Sequence, residues 1–292
     1  MSCESCPDPL LRRPRLLTQD SQLTTDRDLK GILLTDVSII IVSFNAREDL
    51  ERCLESLHAA PPVRSHEIIV VDNDSADGSA DAAARWPDVC VIRNGHNAGF
   101  ARANNIGIRA SHGSNLLLLN SDTVVPPGAV DGLLATLDRN PDVAVVGPRL
   151  VDGAGNAELS FGRMIGPMNE FRQKRRGAGD IDRLTRQPAH PDWVSGACLL
   201  VRRSDAEAVG LLDERYFMYT EDVDFCAAIR ARHRRILFAP DVEIVHLRGR
   251  SAAAAAEATR AAYRRSQIAF YAKHHPYWVP LLKLYLRLKG EN

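Results

Sequence analysis

Short apolar runs alternate with amphipathic segments from residue 37 to residue 120, and this alternation limits the fold more than any other feature of the chain. Val37–Ser43, Glu67–Asp72 and Val89–Ile92 are rich in β-branched residues, which is typical of buried strands. Between the first two runs, apolar residues recur at helical spacing (Leu50, Cys53, Leu54 and Leu57). Strands that alternate with helices pair in parallel through right-handed crossovers, so the pattern predicts a doubly wound, mostly parallel α/β sheet.

The next strand, Leu116–Leu119, consists of four leucines and ends abruptly in Asn120, Ser121 and Asp122. An uninterrupted apolar run indicates a strand that is buried on both faces of its sheet. In open α/β sheets, ligands bind just outside the carboxyl ends of the strands, which places Asp122 where a metal or a charged ligand would be met. The same residues also suit an ordinary turn, because Asn, Ser and Asp are common turn formers.

Polar side chains follow three strands of this predicted sheet: Asn45, Asp72 with Asp74, and Asp122. Because the carboxyl ends of parallel strands share one edge, we expect these side chains to converge. Carboxylate and amide groups suit the ribose hydroxyls and base edges of a nucleotide. For Asp74, Ser75 and Asp77 the alternative is a role in capping the next helix.

An acidic cluster follows an aromatic run in the second half of the chain. Tyr216, Phe217 and Tyr219 precede Thr220, and Glu221, Asp222 and Asp224 come next. If Thr220 is an N-cap, the three acids lie in the first helical turn, where the helix dipole favours negative charge. The functional alternative is that an apolar wall raises the pKa of a carboxylate and so makes it a general base.

Further strands are predicted in the same half. Trp193–Val201 forms one, in which Gly196 would let a ligand or another backbone approach closely. Two more, Ile236–Phe238 and Val242–Val245, form a pair that ends at His246. A histidine at a strand end is either structural or a ligand, and the local pattern leaves both interpretations open.

Three segments lack the patterns of a packed domain. Residues 1–35 predict a flexible N-terminal arm, and the polar, cationic residues 163–192 are typical of a solvated loop or a lid. Residues 260–292 contain seven Lys or Arg and one acidic residue, a net charge of +6. This segment predicts a basic amphipathic helix that either lies on a membrane surface or docks on the domain. Its apolar face comprises Trp278, Leu281, Leu282, Tyr285 and Leu288.

Composition excludes some classes of protein. Thirty-seven basic residues balance thirty-seven acidic ones, so no net field favours nucleic acid as a partner. Most of the six cysteines fall inside apolar or helical patterns, which favours a reducing compartment. The chain shows neither a basic-then-apolar leader nor a run of about 18 apolar residues. We therefore expect a cytoplasmic protein that does not span a membrane.

Seven motifs together resemble the family 2 glycosyltransferases, and more narrowly their bacterial rhamnosyltransferase-like branch. They lie in the family's order within residues 37–250: VSFN, EIIVVDNDSADGS, NGHNAGFARANNIGI, LLLLNSDTVVPPG, VSGACLLVRR, FMYTEDVDFC and EIVHLRG. The resemblance implies a GT-A domain over residues 36–250, with a nucleotide-binding half (36–150) and an acceptor half (151–250) that carries a smaller mixed sheet. Basic C-terminal helices would follow over residues 251–292.

Residues that match the motifs inherit expected roles in binding the donor. Asp72 would contact the nucleoside, with Asn45 and Asp74 beside it. The segment from Asn97 to Arg102, including Gly99, matches the residues near the diphosphate, where Arg102 would be the charge partner.

The family's DxD motif is reduced in this chain. Asn120 and Asp122 occupy the two acidic positions, but many relatives have an acid at the first, and many of this branch have proline where Ser121 stands. Asp122 alone is therefore expected to hold Mg²⁺ or Mn²⁺, with diphosphate and water oxygens as the other ligands. His246 matches a histidine that completes the metal shell in some relatives, and an imidazole ligand favours Mn²⁺.

Asp222 matches the catalytic carboxylate of the family, and Glu221 matches its supporting neighbour. His233 stands where relatives often have glycine. The resemblance implies an inverting transferase that moves a hexose, L-rhamnose from dTDP-rhamnose, to a hydroxyl of a glycan or polyprenyl-linked acceptor. We expect this reaction to serve cell-surface polysaccharide synthesis at the inner face of the plasma membrane.

Two other functions remain open at the level of sequence. A sugar nucleotidyltransferase would also need nucleotide contacts and a metal carboxylate, but Ser43 to Ala46 is not the glycine-rich, basic loop that such enzymes carry after the first strand. A catalytically silent nucleotide-sugar-binding homologue is the second alternative. The presence of Asp122, Glu221 and Asp222 argues against it.

Overall fold

The computed structural model describes residues 35–166, 169, 178–247 and 256–289. The predicted N-terminal arm, apart from its last residue, lies outside the described residues. So does the part of the cationic stretch that contains Arg172, Lys174, Arg175 and Arg176. The rest of that stretch includes a short helix, whose Asp182 forms an ion pair with Arg149 at 3.0 Å.

Strands and helices alternate through the first half of the chain. The strands are β1 (Val37–Ser43), β2 (His66–Asp72), β3 (Val89–Arg93), β4 (Asn115–Asn120), β5 (Thr123–Val124), β6 (Val143–Val151), β7 (Phe161–Gly162), β8 (Trp193–Val194), β9 (Cys198–Arg202) and β10 (Arg235–His246). The helices are α1 (Arg47–Ala59), α2 (Ser79–Ala83), α3 (Phe100–Ala110), α4 (Ala129–Arg139), α5 (Ala178–Leu184), α6 (Arg203–Ala208), α7 (Glu221–Ala231), α8 (Ala256–His274) and α9 (Val279–Leu288). A 3₁₀ turn, Pro276–Trp278, joins α8 to α9.

Eight strands form one mixed sheet in the order β3-β2-β1-β4-β9-β6-β10-β5. The first four strands of the order pair in parallel, as the alternation with helices predicted. β9 runs antiparallel between β4 and β6, and β10 pairs with β6 in parallel. The carboxyl ends of β1, β2, β4, β6 and β10 therefore share one edge. A second, two-stranded sheet pairs β7 with β8.

The leucine strand β4 lies at the centre of the sheet and is buried on both faces. Leu117 and Leu119 belong to the apolar cluster on one face, whereas Leu116 and Leu118 belong to the cluster on the other. None of the four exposes more than 2% of its surface. Full burial of a leucine side chain contributes about 1.5–3 kcal/mol, so this strand is a rigid support for the residues that follow it.

Several local features differ from the patterns in the sequence. The stretch 193–201 is two strands, β8 and β9, because the chain turns between Val194 and Cys198. The expected strand pair after residue 235 is instead one long strand, β10, with a register shift between Ala239 and Glu243. Pro240 lies in that shift and has no N–H to donate, so it interrupts the ladder without ending the strand. His233 has φ of +59°, a left-handed conformation that suits the glycine of its relatives.

Helix α8, the first of the two C-terminal helices α8 and α9, docks on the domain. Phe270 and Tyr271 are buried in a cluster with Tyr216 and Val223, the second of which lies on α7. Several apolar side chains of the next helix, α9, remain exposed. Within the described part of the chain, no helix has the length and apolar character needed to cross a membrane.

Candidate active site

Asp122 and His246 meet at the carboxyl edge of the sheet. β5 pairs antiparallel with β10, which places Thr123 opposite His246, and the N–H of Leu247 donates to the carbonyl oxygen of Asp122 at 2.8 Å. Nε2 of His246 lies 3.3 Å from Oδ1 of Asp122. The loop after the leucine strand is therefore held beside the strand-end histidine by backbone pairing.

Glu158 joins Asp122 and His246, although no pattern in the sequence pointed to it. Its Oε2 lies 3.1 Å from Nδ1 of His246, and its side chain is only 9% exposed. Burial opposes a charge on the imidazole, but the carboxylates of Asp122 and Glu158 outweigh it and raise the pKa of His246 to about 9. No local pattern marks Glu158, because its role depends on a contact with a residue 88 positions later.

Asp72, at the end of β2, is buried, and among the described residues only one of its two carboxylate oxygens has a hydrogen-bond partner. Its Oδ2 accepts the N–H of Ser75 at 3.0 Å, whereas its Oδ1 is buried without a hydrogen-bond partner. Asn45 braces the same loop, because its Oδ1 accepts the N–H of Ala76 at 2.8 Å. Asp74 is exposed, with φ of +68°. The structure thus brings Asn45 and Asp72 together and leaves one carboxylate oxygen of Asp72 open to a donor.

Of the three residues for which capping was the alternative, Asp77 contacts the first N–H of α2, although Gly78 occupies the N-cap position. Oδ1 of Asp77 accepts the N–H of Ser79, the first residue of α2, at 3.0 Å. Asp77 also accepts the N–H of Arg47 at 2.9 Å. These hydrogen bonds lower the pKa of Asp77 despite the opposing effect of its burial.

Gly99 begins the segment that leads into α3, and its backbone is closely enclosed. Oδ1 of Asn97 accepts its N–H at 3.0 Å, and Nδ2 of Asn73 donates to its carbonyl oxygen at 3.3 Å. Its φ is +83°, and a Cβ at this position would collide with the carbonyl oxygen of Phe217. Only glycine suits this conformation and this contact. Asn73 is a second residue that the sequence analysis did not single out.

Arg102, the expected diphosphate partner, lies on the exposed side of α3. Its Nε is 3.7 Å from Oε2 of Glu214, and Arg109 contacts the other oxygen of Glu214 at 3.2 Å. Exposed pairs of this kind contribute about 0–1 kcal/mol, so the guanidinium can exchange partners at little cost. The structure does not place Arg102 in contact with Asp72 or Asp122.

Asp222 stands on the first turn of α7 and faces the turn between β8 and β9. Its Oδ2 accepts the N–H of Gly196 at 2.8 Å, and its Oδ1 accepts the N–H of Val223 at 2.8 Å. Burial raises the pKa of Asp222 above its ordinary value, against the effect of these hydrogen bonds. Gly196 permits this approach, since a Cβ there would lie 3.3 Å from the Cβ of Asp222 and 3.4 Å from the ring of Phe100.

A short backbone path joins Asp222 to the end of the leucine strand. Gly196, which donates to Asp222, is followed by Ala197, whose carbonyl oxygen accepts the N–H of Asn120 at 2.9 Å. Asp222 and the start of the Asn120–Asp122 turn therefore both contact the turn between β8 and β9. They are a hundred residues apart in sequence.

Glu221 is almost fully buried, and its Oε2 has no hydrogen-bond partner. Burial and the nearby charge of Asp222 raise its pKa well above the ordinary value. Thr220 occupies the expected N-cap position, but its side chain does not cap the helix: its φ is +66°, and its buried Oγ1 has no hydrogen-bond partner among the described residues. Tyr219 is also left-handed, with φ of +71°, so two consecutive strained residues precede the acidic pair.

Asp224 faces away from this site. Its Oδ1 accepts the hydroxyl of Tyr216 at 3.2 Å and lies 2.6 Å from Nε2 of His274, while its Oδ2 accepts Nζ of Lys273 at 2.8 Å. The three acids of α7 therefore have separate environments. Asp222 and Glu221 border the sheet edge, and Asp224 binds the C-terminal helix.

The residues at the sheet edge fit a divalent cation only in part. Asp122 and His246 offer a carboxylate and an imidazole, and Oδ1 of Asn120 is buried without a partner. Among the described residues, no group of three His, Cys, Asp or Glu side chains has an arrangement that could hold a metal ion. A cation here would need diphosphate or water oxygens to complete its shell, and such hard ligands suit Mg²⁺ and Mn²⁺.

Comparisons with known sequences find relatives over most of the chain. The model of the family "Glycosyl transferase family 2" matches residues 38–209. An N-acetylglucosaminyl-diphospho-decaprenol L-rhamnosyltransferase of Mycobacterium tuberculosis is 31% identical over 268 residues, which cover 84% of this chain and 87% of that protein. A low-salt glycan biosynthesis hexosyltransferase of Haloferax volcanii is 27% identical over 225 residues, covering 73% and 68%.

Solved structures share the fold. A mannosyltransferase of Pyrobaculum calidifontis, in complex with GDP-Man and Mn²⁺, matches with a TM-score of 0.58 and 20% identity over 85% of this chain and 68% of that one. GalNAc-T7, with UDP, GalNAc and Mn²⁺, matches with a TM-score of 0.58 and 19% identity over 74% of this chain and 44% of that one. These likenesses confirm the GT-A fold. The family model and the mycobacterial relative confirm the resemblance carried by the motifs: the chain belongs to glycosyl transferase family 2.

Proposed function

We propose that this protein is an inverting hexosyltransferase that uses a nucleoside diphosphate sugar and glycosylates a hydroxyl of a glycan or polyprenyl-linked acceptor. The observation that carries the proposal is the position of Asp222. Its carboxylate has a raised pKa and contacts the turn between β8 and β9, which also contacts Asn120 at the edge where the donor would bind. The name of the mycobacterial relative supports L-rhamnose as the sugar and a polyprenyl diphosphate-linked acceptor. The donor that we propose, dTDP-rhamnose, rests on the resemblance of the motifs.

The nucleoside would bind at the ends of β1 and β2. The unpartnered Oδ1 of Asp72 is an acceptor for a ribose hydroxyl or a base N–H. Asn45 holds the loop that carries the exposed Asp74. The segment Asn97–Gly99 leads into α3, whose N-terminus favours the negative diphosphate, and Arg102 would turn from Glu214 to meet it.

Asp122 and His246 would hold Mg²⁺ or Mn²⁺ together with the diphosphate. When bound, the cation supplies positive charge that stabilises the leaving diphosphate. Glu158 orients His246 through Nδ1, which leaves Nε2 directed at Asp122 and the ligand position beside it.

Asp222 would take the proton from the acceptor hydroxyl. As that oxygen bonds to the anomeric carbon, the bond from this carbon to the diphosphate oxygen breaks on the opposite face. A single displacement inverts the configuration and requires no covalent sugar intermediate. Glu221, the buried neighbour of Asp222, would be its supporting residue, as the motif implies.

Helix α9 would bring the site to a membrane surface that presents a lipid-linked acceptor. Leu281 and Tyr285 are exposed on it, together with the cations Lys283 and Arg287, and Trp278 is exposed in the 3₁₀ turn directly before it. Exposed aromatic and aliphatic side chains with neighbouring cations suit an anionic bilayer surface. With such a contact, the protein would be a peripheral protein at the inner face of the plasma membrane.

The test is incubation of the protein with a panel of nucleotide sugars, Mg²⁺ or Mn²⁺ and a polyprenyl diphosphate-linked sugar, followed by product mass and by NMR of the anomeric configuration. We expect transfer of one deoxyhexose from dTDP-rhamnose with inversion. Pyrophosphate exchange would favour the nucleotidyltransferase alternative. Absence of both reactions, with donor binding retained, would favour a silent homologue, and retention of configuration would exclude the single displacement.

A further inference from the structure

Lys273, on the C-terminal helix α8, bridges two carboxylates of the domain. Its Nζ lies 2.8 Å from Oδ2 of Asp213 and 2.8 Å from Oδ2 of Asp224. Asp224 is buried on α7, two residues after Asp222, with a side chain only 3% exposed. Asp213 begins the segment that runs through the aromatic residues to Thr220. One lysine thus joins three parts of the chain.

Helix α8 also contacts that segment along its length. Ser266 donates its hydroxyl to the carbonyl oxygen of Met218 at 2.6 Å. The rings of Tyr263 and Tyr219 meet edge to face, with centroids 5.8 Å apart. Together with the buried contact between Phe270 and Tyr216, these interactions make α8 the support of residues 213–220, which we call the aromatic segment.

The aromatic segment connects the two sides of the site. The carbonyl oxygen of Phe217 accepts the N–H of Phe100 at 2.6 Å, at the start of the helix expected to face the diphosphate. The segment then ends directly before Glu221 and Asp222. Its last two residues, Tyr219 and Thr220, have positive φ. Left-handed residues of this kind are strained and persist only where the surroundings hold them.

We propose that Lys273 is a positioning residue of the transferase site, which holds the aromatic segment against α7 and so aligns Asp222 with the donor side. The inference rests on the proposed transfer reaction. Apolar packing alone cannot replace the lysine, because Asp213 and Asp224 would then face each other as carboxylates without their shared cation. The carboxylates would keep their separate contacts, Asp213 with Arg215 and Asp224 with His274, but neither contact joins the aromatic segment to α7. Loss of the shared cation therefore favours local rearrangement of the segment.

The experiment compares variants of the full-length chain. Lys273→Met removes the cation, and Lys273→Arg retains it. Asp213→Asn weakens the link from Lys273 to the aromatic segment, together with the pairing of Asp213 with Arg215, and leaves Lys273 paired with Asp224. Arg265→Met is the matched control, since Arg265 is an exposed cation on the same helix. Turnover, donor affinity by calorimetry, melting temperature and hydrogen–deuterium exchange of residues 213–222 are measured below the melting transition.

We expect kcat to fall about tenfold or more for Lys273→Met and about threefold for Asp213→Asn, with donor affinity nearly unchanged, because small misplacements near a catalytic group are costly. Exchange in the aromatic segment should increase for both. Lys273→Arg should recover most of the turnover, and Arg265→Met should match the wild type. A lower melting temperature for Lys273→Met is compatible with this result only if the loss of kcat persists in the folded range.

Several outcomes would overturn the inference. One is a folded Lys273→Met enzyme with normal kcat, and another is an equal loss in Arg265→Met. If Lys273→Met does not fold, the test rests on Asp213→Asn. Unchanged kcat and unchanged hydrogen–deuterium exchange of residues 213–222 in that variant would contradict the proposal. A wild-type protein that transfers no sugar from any donor would refute the proposed function itself, whereas an active wild type with unaffected variants refutes only the role of Lys273.

Discussion

Nε2 of His246 lies 3.3 Å from Oδ1 of Asp122, and the pairing of β5 with β10 holds the two residues at one corner of the sheet. Glu158 contacts the opposite nitrogen of the same imidazole. The proposed cation site therefore consists of two side chains whose orientation depends on backbone pairing and on a third carboxylate. This arrangement allows the roles of ligand and support to be separated by experiment.

Asp222→Asn should abolish transfer while leaving donor binding intact. The amide keeps the size of the side chain and an oxygen that can accept the N–H of Gly196, but it cannot take a proton from the acceptor. General base catalysis contributes about 10²–10⁴-fold, so turnover should fall by at least the lower figure. Rapid-mix assays give turnover and calorimetry gives donor affinity. Near-normal turnover would refute the assignment of Asp222.

Glu158→Gln should weaken binding of Mn²⁺ in the presence of a nucleoside diphosphate about tenfold, because loss of a carboxylate that orients a histidine ligand typically lowers metal affinity by that order. Asp122→Ala should have a larger effect. Calorimetric titration of Mn²⁺ measures both without a turnover assay. Glu55→Gln, which changes an exposed glutamate on α1, is the control. Equal affinities in the Glu158 and Glu55 variants would contradict the orienting role.

The pH dependence of stability should reveal the raised pKa of Glu221. Burial and the charge of Asp222 raise its pKa well above 4.5, so the folded state retains a proton that the unfolded state releases. As the pH rises above 4.5, this difference lowers the free energy of unfolding of the wild type. Glu221→Gln lacks the titration and should become more stable relative to the wild type as the pH increases. Urea unfolding between pH 4.5 and 8, at about half-unit steps, measures the free energy of unfolding of both proteins. If the advantage of Glu221→Gln over the wild type decreases as the pH rises, the pKa of Glu221 is not raised.

Gly99→Ala should destabilise the protein more than Gly155→Ala. Both glycines have positive φ, +83° and +82°, but a Cβ at Gly99 would collide with the backbone of Phe217, whereas a Cβ at Gly155 meets no atom within 4 Å. The second change should cost about 1–2 kcal/mol from backbone strain alone. The first adds the collision and disturbs the contact between Phe217 and Phe100. Chemical denaturation gives both free energies, and equal values would show that the enclosure of Gly99 is unimportant.

Leu281→Glu together with Leu284→Glu should weaken binding to vesicles that contain anionic lipids. These side chains are 55% and 53% exposed on α9, so the changes remove apolar surface and add negative charge without disturbing the core. Val63→Glu is a matched control, because Val63 is 93% exposed in the α1–β2 loop. Vesicle sedimentation measures the bound fraction. If both proteins bind alike, α9 is not the membrane contact.

Much of the fold follows from local patterns. The β-branched and leucine runs identify β1 to β4, since a strand buried on both faces must be apolar throughout. The rule that ligands meet the carboxyl ends of such strands singled out Asp72 and Asp122, and the motif that resembles the family singled out Asp222. For these residues, the relevant information lies within a few positions of chain.

Tertiary structure decided what depends on distant partners. Thr220 has the residue type of an N-cap, but docking of α8 and the contact with α3 accompany a left-handed conformation that removes this role. Asp224 has the same local setting as Asp222, yet Lys273 and His274, about fifty residues later, turn it into an anchor for the C-terminal helix.

The sequence by itself determined the alternating strands and helices of the first half, their parallel pairing and the family, and it pointed to the acidic residues at the sheet edge, because these follow from periodicity and from short motifs. Only the tertiary structure revealed Glu158 behind His246 and Lys273 behind Asp224. Both contacts join residues more than forty positions apart, where sequence spacing carries no geometric information. Their identity depends instead on how the sheet and the last helices pack.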